Sequence, residues 1–260
     1  MITKFISTSI LFLSLLPQSA LAQRREAPKQ EVKAIALGAR RVAKFIRSTK
    51  EYKIKMEGPD GGEIEETIPK GVPIEIAGKE NEYVPYQLYA KNRGAKSKVS
   101  RFSLGLNTFS PNVKLTPKES LTLYKRRAIP VDGGETKYKL ESYASTAGNI
   151  EASHLLVALV KNFKELEGWA KPMIRVFDVS PAHFSKNSCL IFNSSPFEML
   201  IKFSDREKIS LSPYAHTYAR NLKKDKYGAI PYSILLKVGN KTEKLPSGGL
   251  SGGSNSRHYI

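Results

Sequence analysis

Short runs of alternating residues, each cut off by glycine, proline or asparagine, recur through most of this sequence, and that rhythm leaves little room for any fold other than a β one. Tyr52-Lys53-Ile54-Lys55-Met56 alternates strictly and stops at Gly58-Pro59-Asp60-Gly61-Gly62, a dense turn cluster. Val72 to Ala77, Tyr83 to Ala90, Val99 to Leu106 and Leu121 to Lys125 follow, broken by Gly71, Gly78, Asn92-Arg93-Gly94 and Ser110-Pro111-Asn112. A second series covers Tyr138 to Tyr143, His154 to Val160, Met173 to Val179, Ser188 to Asn193, Glu198 to Phe203, Lys208 to Leu211 and Tyr232 to Val238. Strand side chains alternate between faces, so residues two apart can line one core while their neighbours meet solvent. Two stretches carry some helical character. Ile35, Val42, Phe45 and Ile46 could share a helix face, yet Val32 to Gly38 also reads as a strand stopped by glycine, and a strand followed by an irregular basic segment is the preferred reading. Asn162 to Trp169 is the other, and it is short.

Composition narrows the class further. With 40% hydrophobic residues, 9% aromatics and one cysteine in 260 residues, the chain is neither a collagen, a coiled coil, a disulfide scaffold nor a wholly disordered polymer. Its length holds one large or two modest domains. The fold expected is all-β: two tandem antiparallel β-sandwich domains of immunoglobulin-like type behind a signal peptide. Residues 1–22 make up the signal peptide, with Lys4, an apolar stretch from Ile10 to Leu16, then Pro17 and Ala20-Leu21-Ala22 ahead of the cleavage point. Residues 23–30 form a flexible lead, 31–127 the first sandwich, 128–136 a linker, 137–240 the second sandwich and 241–260 a disordered Gly/Ser tail. No later stretch is long and apolar enough to span a bilayer, so no transmembrane anchor is expected and the protein should be exported to the periplasm or beyond the cell.

Phe109-Ser110-Pro111-Asn112-Val113-Lys114-Leu115-Thr116-Pro117 up to Tyr124 has the rhythm of Glu207-Lys208-Ile209-Ser210-Leu211-Ser212-Pro213 up to Tyr218. Both read as a strand, a Leu-x-Pro turn and another strand. Proline is common in such turns, so the echo fits either related halves or convergent turn chemistry.

The stretch Leu155-Leu156-Val157-Ala158-Leu159-Val160, then Trp169-Ala170-Lys171-Pro172, then Cys189-Leu190-Ile191-Phe192-Asn193-Ser194-Ser195-Pro196, closes with Leu211-Ser212-Pro213. This order resembles a family of exported bacterial β-sandwich proteins that has no assigned activity. The family pairs a strand, Trp and Lys-Pro element with an Ile-x-Asn-x-Ser-Pro hairpin and a Leu-x-Pro turn. The likeness covers mainly the second half of the chain. It implies fold and location and leaves activity open.

Motifs of catalysis are scarce. His154, His183, His216 and His258 lie far apart, with no His-x-His or His-x3-His spacing, so no metal site and no cofactor are expected. His258 falls in the expected tail. Cys189 sits in an apolar run and reads as a buried, inert thiol. Gly249-Leu250-Ser251-Gly252 lacks the strand-to-helix setting of a nucleophile elbow, and Gly61-Gly62 and Gly133-Gly134 read as hairpin turns. Asp178 and Glu198 stand singly. No catalytic residue is assigned.

The positive feature is charge. Lys and Arg number 42 against 24 Asp and Glu, a formal net charge of +18. Arg40, Arg41, Lys44, Arg47, Lys50, Lys53 and Lys55 face only Glu51 within their segment, while Lys91, Arg93, Lys96, Lys98 and Arg101 have no acid between them. Lys125-Arg126-Arg127 and Lys223-Lys224-Asp225-Lys226 add two further knots. Arg40, Arg41, Lys44, Arg47, Lys91, Arg93, Lys96, Lys98 and Arg101 are therefore the expected anion-contacting residues, with Tyr83, Tyr86 and Tyr89 beside them as candidate stacking aromatics. The expected function is a non-enzymatic binding or scaffold protein of the bacterial envelope that contacts an anionic polymer through basic loops. Nucleic acid belongs to that anionic class without a motif of its own here. A protein-interaction subunit of an envelope complex is the first alternative, and a hydrolase whose site assembles through space around His154, His183 or His216 is the second.

Overall fold

The structure is a computed structural model and describes residues 30–38, 45–71, 73–75, 84–91, 99–115, 120–130, 136–147, 152–162, 168–186, 188–203, 207–251 and 256–260. The signal-peptide segment 1–22 lies outside the described residues. Among the described residues there are twenty strands and no helix. The first eight are β1 (Gln30–Leu37), β2 (Phe45–Arg47), β3 (Tyr52–Glu57), β4 (Glu63–Ile68), β5 (Pro73–Glu75), β6 (Gln87–Lys91), β7 (Val99–Ser103) and β8 (Val113–Leu115). Then come β9 (Ser120–Pro130), β10 (Thr136–Ala147), β11 (His154–Val160), β12 (Met173–Asp178), β13 (Cys189–Phe192) and β14 (Glu198–Lys202). The last are β15 (Lys208–Leu211), β16 (His216–Ala219), β17 (Ile230–Val238), β18 (Lys241–Lys244), β19 (Gly248–Leu250) and β20 (His258–Tyr259).

They assemble into a six-stranded sheet in the order β4-β3-β10-β9-β6-β7, a four-stranded sheet β12-β11-β1-β8, a three-stranded sheet β16-β13-β20 and a larger sheet β15-β14-β17-β18 with β19 also on β17. A small pair, β2-β5, stands apart. The four principal sheets stack through three apolar interfaces. Val32, Ala34 and Ala36 of β1 and Leu155, Val157 and Leu159 of β11 meet Leu88, Ala90, Phe102 and Leu123 of the six-stranded sheet. On the opposite face of β11, Leu156, Ala158 and Val160 meet Leu190 and Phe192 of β13. The other face of β13, Cys189 and Ile191, meets Met199, Ile201 and Ile230 of the last sheet. Strands covered on both faces have no solvent side to mark with polar residues, which explains why β11 and β13 read as continuous apolar runs rather than alternating ones. At about 1.5–3 kcal/mol per large buried side chain, these runs are the main source of cohesion between the layers.

Four expectations need correction. The halves are not separated at 128–136: Ala128 to Pro130 end β9 and Thr136 opens β10, and the two strands form one long antiparallel hairpin. Residues 131–135 lie outside the described residues. Nor is the sheet wholly antiparallel, since β1 runs parallel to β11 with Glu31 opposite His154, β3 parallel to β10, and β13 parallel to β20. A strand from the expected first domain thus sits inside a sheet of the second. Gln30, expected in a flexible lead, begins β1 with its side chain buried and its amide donating to the Ala152 carbonyl. Finally, the expected tail carries β18, β19 and β20, and His258 is buried. Composition argued for loops there, but β17 and β13 offer open edges whose backbone groups gain partners from these short segments.

The hairpin expected at Gly58 to Gly62 is present. Gly61 has φ of +76°, a left-handed conformation that glycine adopts without a Cβ penalty, and its N–H donates to the Gly58 carbonyl at 3.0 Å. The internal echo also has a structural counterpart: β8 and β9 belong to different stacked sheets, as do β15 and β16, so each copy of the pattern carries the chain from one layer to the next. The expected helical segment Asn162 to Trp169 is described only at Asn162, Gly168 and Trp169, the last two in a turn.

Candidate functional site

Of the expected anion-contacting residues, Arg40, Arg41, Lys44, Arg93, Lys96 and Lys98 lie outside the described residues. Arg47 ends β2, its backbone opposite Pro73. Lys91 and Arg101 are described, and both are paired: Lys91 with Asp60, Arg101 with Glu66 at 2.6 Å. The Glu66 carboxylate also accepts from the Tyr89 hydroxyl at 2.7 Å. Tyr89, offered as a stacking aromatic, is 1% exposed, and burial followed by the Glu66 charge pushes its phenol well above the usual value. Tyr83 lies outside the described residues and Tyr86 is half-buried.

These pairs have a structural role. β4 and β7 stand at opposite ends of the six-stranded order, yet Glu66 of β4 reaches Arg101 of β7, so the sheet curls until its ends meet. Met56, Ile64, Tyr89 and Leu140 fill the space enclosed, with Val99, Tyr124 and Tyr138 against them. Arg126 enters the same region, its guanidinium 5.0 Å over the Tyr138 ring and its Nη1 buried without a hydrogen-bond partner among the described residues. Along the outer face of the β3–β4 hairpin, Lys53 meets Glu65 at 2.8 Å and Lys55 meets Glu63 at 3.0 Å. The pairing raises the Lys55 pKa and lowers that of Glu65. The last two cations of the run Arg40 to Lys55 are therefore matched across the hairpin.

Cationic surface is gathered instead by the loop between β16 and β17. Leu222 is buried and anchors it. Asp225, the one acid between Arg220 and Tyr227 in the sequence, folds its carboxylate onto its own loop: Oδ1 accepts from the N–H groups of Tyr227 at 2.8 Å and Ala229 at 2.9 Å. Gly228, at φ of +78°, returns an N–H bond to the Asp225 carbonyl at 3.0 Å. Lys223, Lys224 and Lys226 are exposed, and Tyr227 is 81% exposed with the Lys226 ammonium 5.0 Å from its ring. Neighbouring groups extend the same sign. Arg220 donates to the His183 carbonyl at 3.2 Å, and the Arg257 guanidinium lies 5.7 Å over Phe184. His258 has its pKa lowered by burial and then by the Lys224 charge.

Beside this surface runs a row of rings. His183 stands edge-on to Tyr218 at 4.7 Å, Tyr218 to His216 at 5.9 Å and His216 to Phe177 at 4.9 Å. Burial lowers the His216 pKa, with Arg175 and His183 adding to it, and pushes that of Tyr218 up to about 12. The Tyr218 hydroxyl donates to the Asp178 carbonyl at 2.9 Å, while the Asp178 carboxylate accepts from Ser180 N–H at 2.8 Å. That carboxylate is thus engaged by backbone rather than aligned on a ring nitrogen. His154, the remaining histidine, has its Nε2 3.6 Å from Glu31 and its Nδ1 2.9 Å from the Ser153 hydroxyl. Among the described residues no group of three or more His, Cys, Asp or Glu is placed to hold a metal ion. Cys189 is fully buried, and burial pushes its thiol up to about 12.

Trp169 and Asn193 each hold backbone in place. Trp169 is buried, and its carbonyl accepts from the Tyr143 hydroxyl at 2.7 Å. Asn193 ties the Asn-x-Ser-Pro hairpin to the Leu-x-Pro turn: its amide donates to the carbonyls of Phe197 at 2.6 Å and Ser212 at 3.0 Å, and its Oδ1 accepts from Ser195 N–H at 3.1 Å. No helix of the described residues is long and apolar enough to cross a membrane. No family model and no curated protein matches the chain, so its function is argued from this geometry.

Proposed function

We propose that this is a non-enzymatic binding or scaffold protein, exported to the bacterial envelope, that contacts an anionic polymer through basic loops. We read its architecture as two stacked immunoglobulin-like sandwiches, the second of which presents the contact surface. The observation that carries this reading is the loop Lys223 to Tyr227. Its only acid is turned onto the backbone, while Lys223, Lys226 and Tyr227 are exposed on the same loop. Ammonium groups attract phosphate, sulfate or uronate along a chain, and an exposed ring beside them stacks on sugar faces. Arg220 and Arg257 widen the charged area.

Binding to polygalacturonate, with neutral dextran as control, tests the reading. Affinity should fall steeply as salt rises, because exposed charges are screened within about 10 Å at 0.1 M ionic strength. The double variant Lys223→Glu, Lys226→Glu should weaken binding about tenfold or more, equivalent to about 1.4 kcal/mol. Binding that ignores salt, or that the double variant leaves intact, overturns the assignment to this loop.

A further inference from the structure

We propose that the edge of β13 is a strand-accepting site, and that it takes residues 257–260 from a second copy of this chain to form a strand-exchanged dimer. β13 is buried on both faces, and on one side it pairs antiparallel with β16. Its other edge is covered, among the described residues, by β20, two residues long and parallel, with Cys189 opposite His258 and Leu190 opposite Tyr259. Bonds from His258 N–H to the Ser188 carbonyl at 3.0 Å, Ile260 N–H to the Leu190 carbonyl at 3.0 Å and Phe192 N–H to the Ile260 carbonyl at 2.9 Å complete the ladder.

The side chains of this short segment reach two separate cores. Ile260 packs against the core of the last two sheets, and Tyr259 against the core between β11 and β13. The Tyr259 ring sits 4.9 Å from Phe109 and 5.4 Å from Phe184, while Arg257 covers Phe184 from outside. The site therefore recognises an extended segment with a cation, an aromatic and an aliphatic residue in sequence, which is the chemistry of strand addition to a sheet edge. The occupant is joined to β19 through Ser251-Gly252-Gly253-Ser254-Asn255-Ser256, a stretch with no apolar residue to bury. Every contact made by residues 257–260 is available equally to the same residues of another copy, so exchange costs no interface and is governed by concentration.

Two differently tagged preparations of the full chain, mixed at high concentration and examined by native mass spectrometry, test this. Mixed dimers should form, and the double variant Tyr259→Ala, Ile260→Ala should reduce them about tenfold or more. A chain that stays monomeric at every concentration overturns the proposal. So does a dimer that the double variant or deletion of residues 257–260 leaves undiminished.

Discussion

The Arg101 guanidinium lies 2.6 Å from the Glu66 carboxylate, joining the two ends of the six-stranded sheet. Both groups are largely withdrawn from water, with side-chain exposures of 30% and 14%. Removing one leaves the other without its counter-charge. Glu66→Gln should cost about 1–3 kcal/mol in denaturant unfolding. The double variant Glu66→Gln, Arg101→Met should cost less than the sum of the single changes, by about 0.5–3 kcal/mol of coupling. Simple additivity would show that the pair does not act as a closure.

Asn193 is 1% exposed and satisfies carbonyls on two separate turns. Asn193→Ala should lose about 1–3 kcal/mol, the cost of orphaning buried backbone acceptors. Asn193→Asp should be worse, because a carboxylate would face those carbonyls with an acceptor in place of a donor. Thermal unfolding of both variants orders them, and an Asp variant as stable as the parent would contradict the hub role.

Acid should destabilise the protein. His216 and His258 have folded pKa values below the ordinary 6.5, His216 through burial, Arg175 and His183, and His258 through burial and Lys224. The unfolded chain therefore binds protons first as pH falls, so the stability these groups contribute is full above 6.5 and is lost as pH drops toward their folded values. Unfolding midpoints at about pH 7.5 and about pH 5.5 should show the loss, on either side of the usual histidine range. His216→Gln should flatten the profile, and an unchanged slope would remove His216 as a contributor.

Cys189 should be inert while the protein is folded. Its thiol is pushed up to about 12 and has no exposed surface, so little thiolate exists to react with a disulfide reagent. Modification should appear only on unfolding, and its rate then reports opening of the layers on either side of β13. Rapid labelling under native conditions would refute this burial.

What the sequence made legible follows from how local each cause is. β3 could be read because alternation and the Gly58–Gly62 turn lie within one short window. β11 could be recognised as a strand, though its unbroken apolar run carries a further meaning that only the stacked neighbours reveal. Charge pairing was not legible in the sequence where partners come from other strands. Lys53 and Lys55 look unopposed until the hairpin brings Glu65 and Glu63 alongside, and Arg101 until the curled sheet delivers Glu66. Lys223 to Lys226 was visible as a basic knot, but not the turn of Asp225 away from it, since that depends on backbone geometry at Tyr227 and Ala229. β20 was missed because a two-residue strand has no period to detect, and the edge of β13 alone defines it.

The parallel pairing of β1 with β11 sets an order of events during synthesis. Glu31 must wait for His154, and Leu37 for Val160, before either strand can be zipped into its sheet. A nascent chain that has emerged only as far as β10 holds one wall of its first core without the other. A chain truncated before residue 154 should therefore stay protease-sensitive, while one that extends past β12 can close this core.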